Sequence, residues 1–458
     1  MAVTRMAGLG AALRARADRA GAWLGRRRVQ AVVLSAVLVS TMTLPVHAAL
    51  ATDVAADADW IMSARMPDGA IANYVDRQAV WPYLSNFAAM GLAKATTVTG
   101  NANYAAASWT WLGWYQSHEN AQGFVTDYRM VSGALTSTGD MDSTDSYAGT
   151  FLLAAREAYR ATNDLTKLKG LAAGVSGAVR AIEATQDVDG LTWAKPTWHV
   201  KYLMDQSEAY AGLLAATDIA GAIGNSTLAQ QATADATRMK NGVANLWNAS
   251  LNSYDWAVHD DGTHVTTNWG VLYPDALQQM WAVAFGLVDT VRAPTLATQF
   301  LTAEPNWALP AATAVIGGGS STVGYWPTAG WALNALGNST ASTAVGTIRS
   351  AALAANRAWP FTTGNAGQLI LFESGYSLPL AAAPATKLGG KSVTTTTIKG
   401  SRLLSPVSTL KPVPSTALSP TTTVKPTTTT KPPTTTTTAP LVSVSVPPNG
   451  PTITVPTP

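Results

Sequence analysis

From about residue 50 to residue 380 the apolar positions recur at the three- and four-residue spacing of amphipathic helices, and the pattern itself repeats. Each unit runs from a polar or aromatic loop into a helix rich in Ala, Gly and Leu, through a short turn, and into a second helix with a polar face. The turns mark the units most clearly. Thr99-Gly100-Asn101-Ala102, Thr162-Asn163-Asp164, Ile223-Gly224-Asn225 and Leu336-Gly337-Asn338 follow first helices that start near Pro82, Thr144, Gln206 and Tyr325. Glycine and asparagine tolerate the left-handed conformation that ends a helix. Partner helices are expected over 105–115, 168–184, 228–246 and 344–356.

One internal match is close. Asp142-Ser-Thr-Asp145-Ser-Tyr147-Ala-Gly149 and Asp205-Gln-Ser-Glu208-Ala-Tyr210-Ala-Gly212 agree in both acids, the tyrosine, an alanine and the glycine at identical spacing. Further units start at Trp81-Pro82, Tyr273-Pro274-Asp275, Gly324-Tyr325-Trp326-Pro327 and, faintly, near Asn365, about six in all. Small residues on each first helix permit close packing on two sides, as an inner helix requires. The chain is therefore expected to be all-α, with six helical hairpins closing into an (α/α)6 toroid over residues 50–385. In this repeat pattern, its tryptophan content and its acid-bearing helix starts, it resembles the six-hairpin glycosidase superfamily, without reaching one family by motif. Polysaccharide lyases and terpene cyclases also use α/α toroids, so architecture alone does not fix chemistry.

The two ends differ from this middle. Arg26, Arg27 and Arg28 precede an apolar run from Val29 to Leu44 and then Pro45-Val46-His47-Ala48, which reads as an export signal over residues 1–48 cleaved after Ala48. Residues 386–458 are dominated by Thr and Pro without acids, the composition of an extended, disordered stalk. The expected protein is thus secreted, with association with a cell wall as a further option, with no membrane span after signal cleavage, and it is read as a monomer. The formal charge of +3 hides an acidic middle, since between residues 50 and 385 acids outnumber bases by ten. Nucleic acid is accordingly not an expected partner. The chain has no cysteine and no closely spaced histidine ligands, which excludes thiolate chemistry and argues against zinc; no metal and no cofactor is expected.

The resemblance implies parallel inner helices whose N-termini open on one face, gathering residues that are distant in sequence. The expected catalytic pair is Asp145 and Glu208, with Asp142, Asp205, Asp275 and Asp127 as supporting acids, because glycoside hydrolysis takes one protonated and one ionised carboxyl. A capping box over Asp142 and Asp145, or Asp205 and Glu208, would explain the same spacing. Fifteen of the sixteen tryptophans lie in the middle segment. Trp81, Asn86, Tyr128, Tyr147, Trp198, Tyr210, Trp269 and Trp326 are expected to contact substrate, with Trp193 and Trp256 as further loop aromatics, whereas Trp109, Trp111, Trp114 and Trp281 read as core. The loops at 117–128 and 193–199 are expected to form cleft walls. The expected function is hydrolysis of a neutral polysaccharide or oligosaccharide, since a uronic-acid polymer would call for paired basic residues. A lyase using Tyr128, Tyr147, Tyr210 or His199 as base, and a glycan-binding protein without catalysis, are the alternatives.

Overall fold

The structure is a computed structural model and describes residues 49–310 and 324–382, with the backbone of two short strands between those segments. The expected signal peptide and stalk lie outside the described residues. The helices are α1 (49–63), α2 (Pro82–Thr99), α3 (Ala102–Ser117), α4 (Thr144–Thr162), α5 (Leu165–Gly170), α6 (Ala172–Thr185), α7 (Leu203–Ile223), α8 (Ser226–Ala244), α9 (Leu277–Ala284), α10 (Arg292–Ala303), α11 (Pro327–Ala335), α12 (Ala341–Ala354) and α13 (Thr363–Glu373).

Six of them form a closed ring: α2 packs on α4, α4 on α7, α7 on α9, α9 on α11, α11 on α13, and α13 back on α2. These are the small-residue-rich helices, and the reason for their composition is visible where they cross. A Cβ added to Gly91 of α2 would lie 2.4 Å from the Cα of Gly367 in α13, and one on Gly212 of α7 would lie 2.4 Å from the Cα of Gly149 in α4. Backbones this close leave no room for a methyl group. Along α2 and α4 residues are buried on nearly every side, whereas α12 buries only Ala344, Ile348 and Ala352. That contrast separates inner from outer helices.

The expected turns end the helices as read. Gly100 and Gly224 follow α2 and α7, and Asn163 follows α4, all three left-handed with φ of 77°, 81° and 52°. The sixth unit closes the ring with the first described helix. Asp57 of α1 pairs with Arg349 of α12 and with Arg357, and Glu373 of α13 also meets Arg349, so α1 occupies the outer position beside α13.

The strands are short. β1 (Ala79–Val80), β2 (Tyr128–Val131) and β3 (Ala134–Ser137) form one antiparallel sheet. β4 (Val200–Tyr202) joins a second sheet whose order is completed further along the chain. β5 (Trp247–Asn248) pairs with β6 (Ser253–Tyr254), and β7 (Ala257–His259) bridges β4 to β8 (His264–Val265). β9 (Val315–Ile316) pairs with β10 (Ser320–Ser321). Most of these strands belong to connections that lead into inner helices, where they hold the rim.

Candidate active site

A cavity of about 580 Å³ opens at one end of the ring. Its lining takes residues from the N-terminal end of all six inner helices or the turns just before them: Tyr83 of α2, Ser146 of α4, Glu208 of α7, Gln278 of α9, Trp326 ahead of α11, and Gln368 of α13. Four of these helix starts, those of α2, α7, α9 and α11, have no side-chain cap. At α7 the first N–H groups are taken instead by the Trp256 carbonyl and the Gln278 amide oxygen, and the aligned helix dipoles leave partial positive charge at this end of the ring.

The carboxyls in the lining are Asp142, Asp205 and Glu208. Glu208 is fully buried. Its Oε1 accepts from the Tyr83 hydroxyl at 2.7 Å and from Trp281 Nε1 at 2.9 Å, while Oε2 has no hydrogen-bond partner among the described residues. Loss of solvation raises its pKa to about 7, against the lowering effect of the Tyr83 and Trp281 donors. Asp205 lies one turn before it on the same helix, and burial together with the negative Asp145, Glu208 and Asp142 pushes its carboxyl far above the usual range. Asp142 sits exposed at the mouth, near Lys195, whose Nζ is bound to Asp140 Oδ1 at 2.8 Å and to the Met141 carbonyl at 2.7 Å. Enclosure by the surrounding wall raises the Asp142 carboxyl, and the Lys195 charge opposes that rise.

Asp145 departs from expectation. The repeat spacing puts it over the mouth, but its side chain is turned inward, fully buried and outside the lining, with every acceptor engaged. Oδ1 takes the Ser143 hydroxyl at 2.6 Å and the Ser146 N–H at 2.8 Å, and Oδ2 takes the Thr192 hydroxyl. The reason is a shifted helix start. Ser143, not Asp142, is the N-cap of α4, which places Asp145 within the first turn. In α7 the helix begins at Leu203, so neither Asp205 nor Glu208 is a cap. The capping-box explanation of the repeated acids therefore fails for both copies.

Other expected residues separate into two groups. Tyr147, Trp198 and Trp326 line the cavity. Trp198 is 53% exposed and donates Nε1 to the Tyr202 hydroxyl at 3.0 Å. Trp326 stacks on Tyr273 with centroids 5.0 Å apart and planes 15° from parallel. Asp127 reaches the site through Tyr147, whose hydroxyl donates to Asp127 Oδ1 at 2.8 Å; burial raises this acid to about 6.

The second group lies away from the lining. Asn86 ties α2 to its neighbours, donating to the Tyr147 carbonyl and Thr150 hydroxyl and accepting from Trp111 Nε1. Asp275 accepts the Asn268 N–H at 2.7 Å and stabilises its own loop. Tyr210 is buried in the core, Tyr128 packs against Trp114 and His118, Trp269 packs on the core from its loop, and Trp81 holds the entry to α2 through its N–H to Asn73 Oδ1. Most of these lie at or ahead of inner-helix starts, and Tyr210 lies two turns into α7, but a helix start exposes only one side of its first turn to the cavity. Of the two loops expected as cleft walls, 193–199 contributes Ala194, Lys195 and Trp198, and 117–128 contributes nothing to the lining.

Several lining residues escape sequence reasoning. Tyr83, Tyr202, Tyr273, Gln278, Asn365 and Gln368 all sit at inner-helix starts, and that shared position is the available signal. Trp281, expected as core, is both core and the donor to Glu208. Tyr202 and Trp256 form a parallel pair 6.1 Å apart, held by the pairing of Tyr202 with Ala257 across β4 and β7. Among the described residues no group of three or more potential ligands could hold a metal ion, and no helix is long and apolar enough to cross a membrane.

No family model and no curated protein matches the chain. Solved structures do resemble it. An uncharacterized conserved protein from Thermus thermophilus superposes with a TM-score of 0.52 and 13% identity, over 70% of this chain and 99% of that one. A GH63 mannosylglycerate hydrolase from the same organism, in complex with glucose, gives a TM-score of 0.51 and 11% identity, over 70% of this chain and 98% of that one. A GH78 rhamnosidase of Bacillus sp. GL1 gives 0.51 and 14%, over 70% of this chain but 34% of the longer rhamnosidase. At such identities the likeness is one of fold, and the fold shared with these structures is an (α/α)6 toroid of six helical hairpins.

Proposed function

We propose that the chain is an exported glycoside hydrolase acting on a neutral glycan held in the cavity at the N-terminal end of the inner ring. The observation that carries this reading is Glu208, a fully buried carboxyl with one oxygen fixed by two donors and the other without a partner among the described residues. Such a group keeps its proton up to about pH 7 and is oriented to give it to a glycosidic oxygen. Asp142 lies at the mouth, where the Lys195 charge opposes the rise that enclosure gives its carboxyl, and it takes the role of ionised partner that activates water. Stacked aromatics on both sides, Tyr202 with Trp256 and Tyr273 with Trp326, offer faces for sugar rings. Only one basic side chain, Lys195, is in the lining, which supports a neutral rather than an anionic glycan.

The test is release of reducing ends from a panel of neutral oligosaccharides and polysaccharides, comparing the full chain with Glu208→Gln. Loss of about a thousandfold in the variant is expected, and equal rates would refute the assignment. A second reading has one specific observation behind it. Among the described residues the α9, α11 and α13 side of the cavity carries amides and aromatics but no carboxyl, a lining that also suits glycan binding without cleavage. Saturable binding with no reducing ends from any glycan would favour that reading. Of the four residues considered as a lyase base, only Tyr147 lines the cavity, and a lyase would reveal itself by the ultraviolet absorbance of an unsaturated product.

A further inference from the structure

The Ser143 hydroxyl lies between two acids, 2.6 Å from Asp145 Oδ1 and 3.2 Å from Asp205 Oδ2. A hydroxyl has one proton to give and lone pairs with which to accept. The shorter contact takes that proton, because Asp145 sits in a nest built for an anion, with the Ser146 N–H on the same oxygen and the Thr192 hydroxyl on the other. Thr192 is itself fixed: its N–H donates to Gln206 Oε1 at 2.8 Å and its carbonyl accepts from Gln206 Nε2 at 2.9 Å, so the amide is satisfied by backbone. Ser143 then faces Asp205 with a lone pair. Against an ionised carboxylate that contact would be repulsive, and against a carboxylic acid it is a hydrogen bond.

We propose that Asp145 is a positioning residue which, through the Ser143 hydroxyl, holds Asp205 as a neutral carboxylic acid donating its proton to Ser143. The surroundings agree. The groups that face Asp205 are the carboxyls of Asp142, Asp145 and Glu208 and the hydroxyls of Tyr83, Tyr202 and Tyr273, none of them a cation. Lys195, the one basic residue in the lining, is bound to Asp140 and the Met141 carbonyl. Ser143 is the hydrogen-bond partner of the Asp205 carboxyl, and no other is found among the described residues. The three lining acids thus divide into a titrating donor at Glu208, an ionised group at Asp142, and a wall that stays neutral at Asp205. Like charges this close cannot all ionise, and the relay decides which one keeps its proton.

The consequence for activity rests on the hydrolase reading; the protonation state does not. Infrared difference spectra of the full chain with labelled aspartate, near neutral pH, should show a protonated carboxylic-acid band that disappears in Asp205→Asn. Asp145→Asn removes the negative charge that raises Asp205, and Ser143→Ala removes the acceptor, so each should weaken that band. Thermal unfolding of all three variants checks that the ring has formed, and Ser143→Ala stands in if Asp145→Asn does not fold. Absence of the band from the native chain overturns the proposal, whether or not any glycan is cleaved. Where cleavage is measurable, Asp205→Asn should cost about tenfold, because an amide can still donate to Ser143, against the larger losses expected at Glu208 and Asp142. A loss at Asp205 equal to that at Glu208 would make it an ionised participant and would also overturn the proposal.

Discussion

The two copies of the acid-bearing motif share every spacing and yet present different chemistry. In the α7 copy both acids, Asp205 and Glu208, face the cavity; in the α4 copy Asp142 lies in the loop at the mouth and Asp145 is buried with all its acceptors filled. Their glycines, Gly149 and Gly212, meet where the helices cross, so the copies stand at matching heights in the ring. What differs is the start of the helix. Relative to the motif, α7 begins about one turn earlier than α4, whose first turn is replaced by an extended approach capped by Ser143. Equal spacing along a chain therefore fixes which acids are neighbours, while the helix boundary decides which of them meets substrate and which supports from behind.

The largest effect that would sharpen this contrast comes from the acids themselves. Glu208→Gln and Asp142→Asn are each expected to lower kcat/KM by about a hundred- to ten-thousandfold with unfolding temperatures near that of the native chain, and a mild effect at Asp142 would move the ionised role elsewhere. Next come the glycines that bring the two copies together. A Cβ at Gly212 would lie 2.4 Å from the Gly149 Cα, so Gly212→Ala should destabilise by about 1–3 kcal/mol in chemical denaturation. Gly113 of the outer helix α3 has open space around its missing Cβ, and Gly113→Ala should be neutral or stabilising by up to about 1 kcal/mol. Equal destabilisation at both would break the distinction between inner and outer helices.

A pH effect on stability follows from the buried acids. Asp145 titrates at about 6, Glu208 at about 7 and Glu119 at about 8, in each case raised chiefly by burial. The folded chain therefore holds protons that the unfolded chain has released, and stability must fall as pH rises. The unfolding temperature is expected to decline from about pH 5 to about pH 8, and Glu119→Gln should flatten the upper part of that decline. A rise over this range would contradict the upward shift that burial gives these groups. The smallest expected effect is at Tyr83. Its hydroxyl lowers the pKa of Glu208, so Tyr83→Phe should move the alkaline limb of activity upward while retaining most of the rate.

Much of the fold is legible because repetition is a sequence property. The turn residues Gly100, Asn163 and Gly224 end helices as read, and the small residues of the first helices become the close crossings of the inner ring. The closing role of α1 is not legible, since it depends on Asp57 meeting Arg349 and Arg357 from the other end of the chain. At the site, the pattern finds the acids of the two motif copies but not their orientations. A cap shifted by one residue at Ser143 turns Asp145 away, and Tyr83 and Trp281, which hold Glu208, approach from other helices. Trp81 and Trp326 both precede a proline at an inner-helix start, yet only Trp326 lines the cavity, because its ring is held there by Tyr273. Helix phase and partners across the ring are tertiary properties that a local pattern does not contain.

The most direct test is the pH dependence of kcat/KM for reducing-end release by the native chain. If Glu208 is the proton donor, the rate falls above about pH 7 as its carboxyl ionises, and Tyr83→Phe shifts that fall to higher pH. A rate that continues to rise through this range, or a limb that stays in place in Tyr83→Phe, would contradict the assignment.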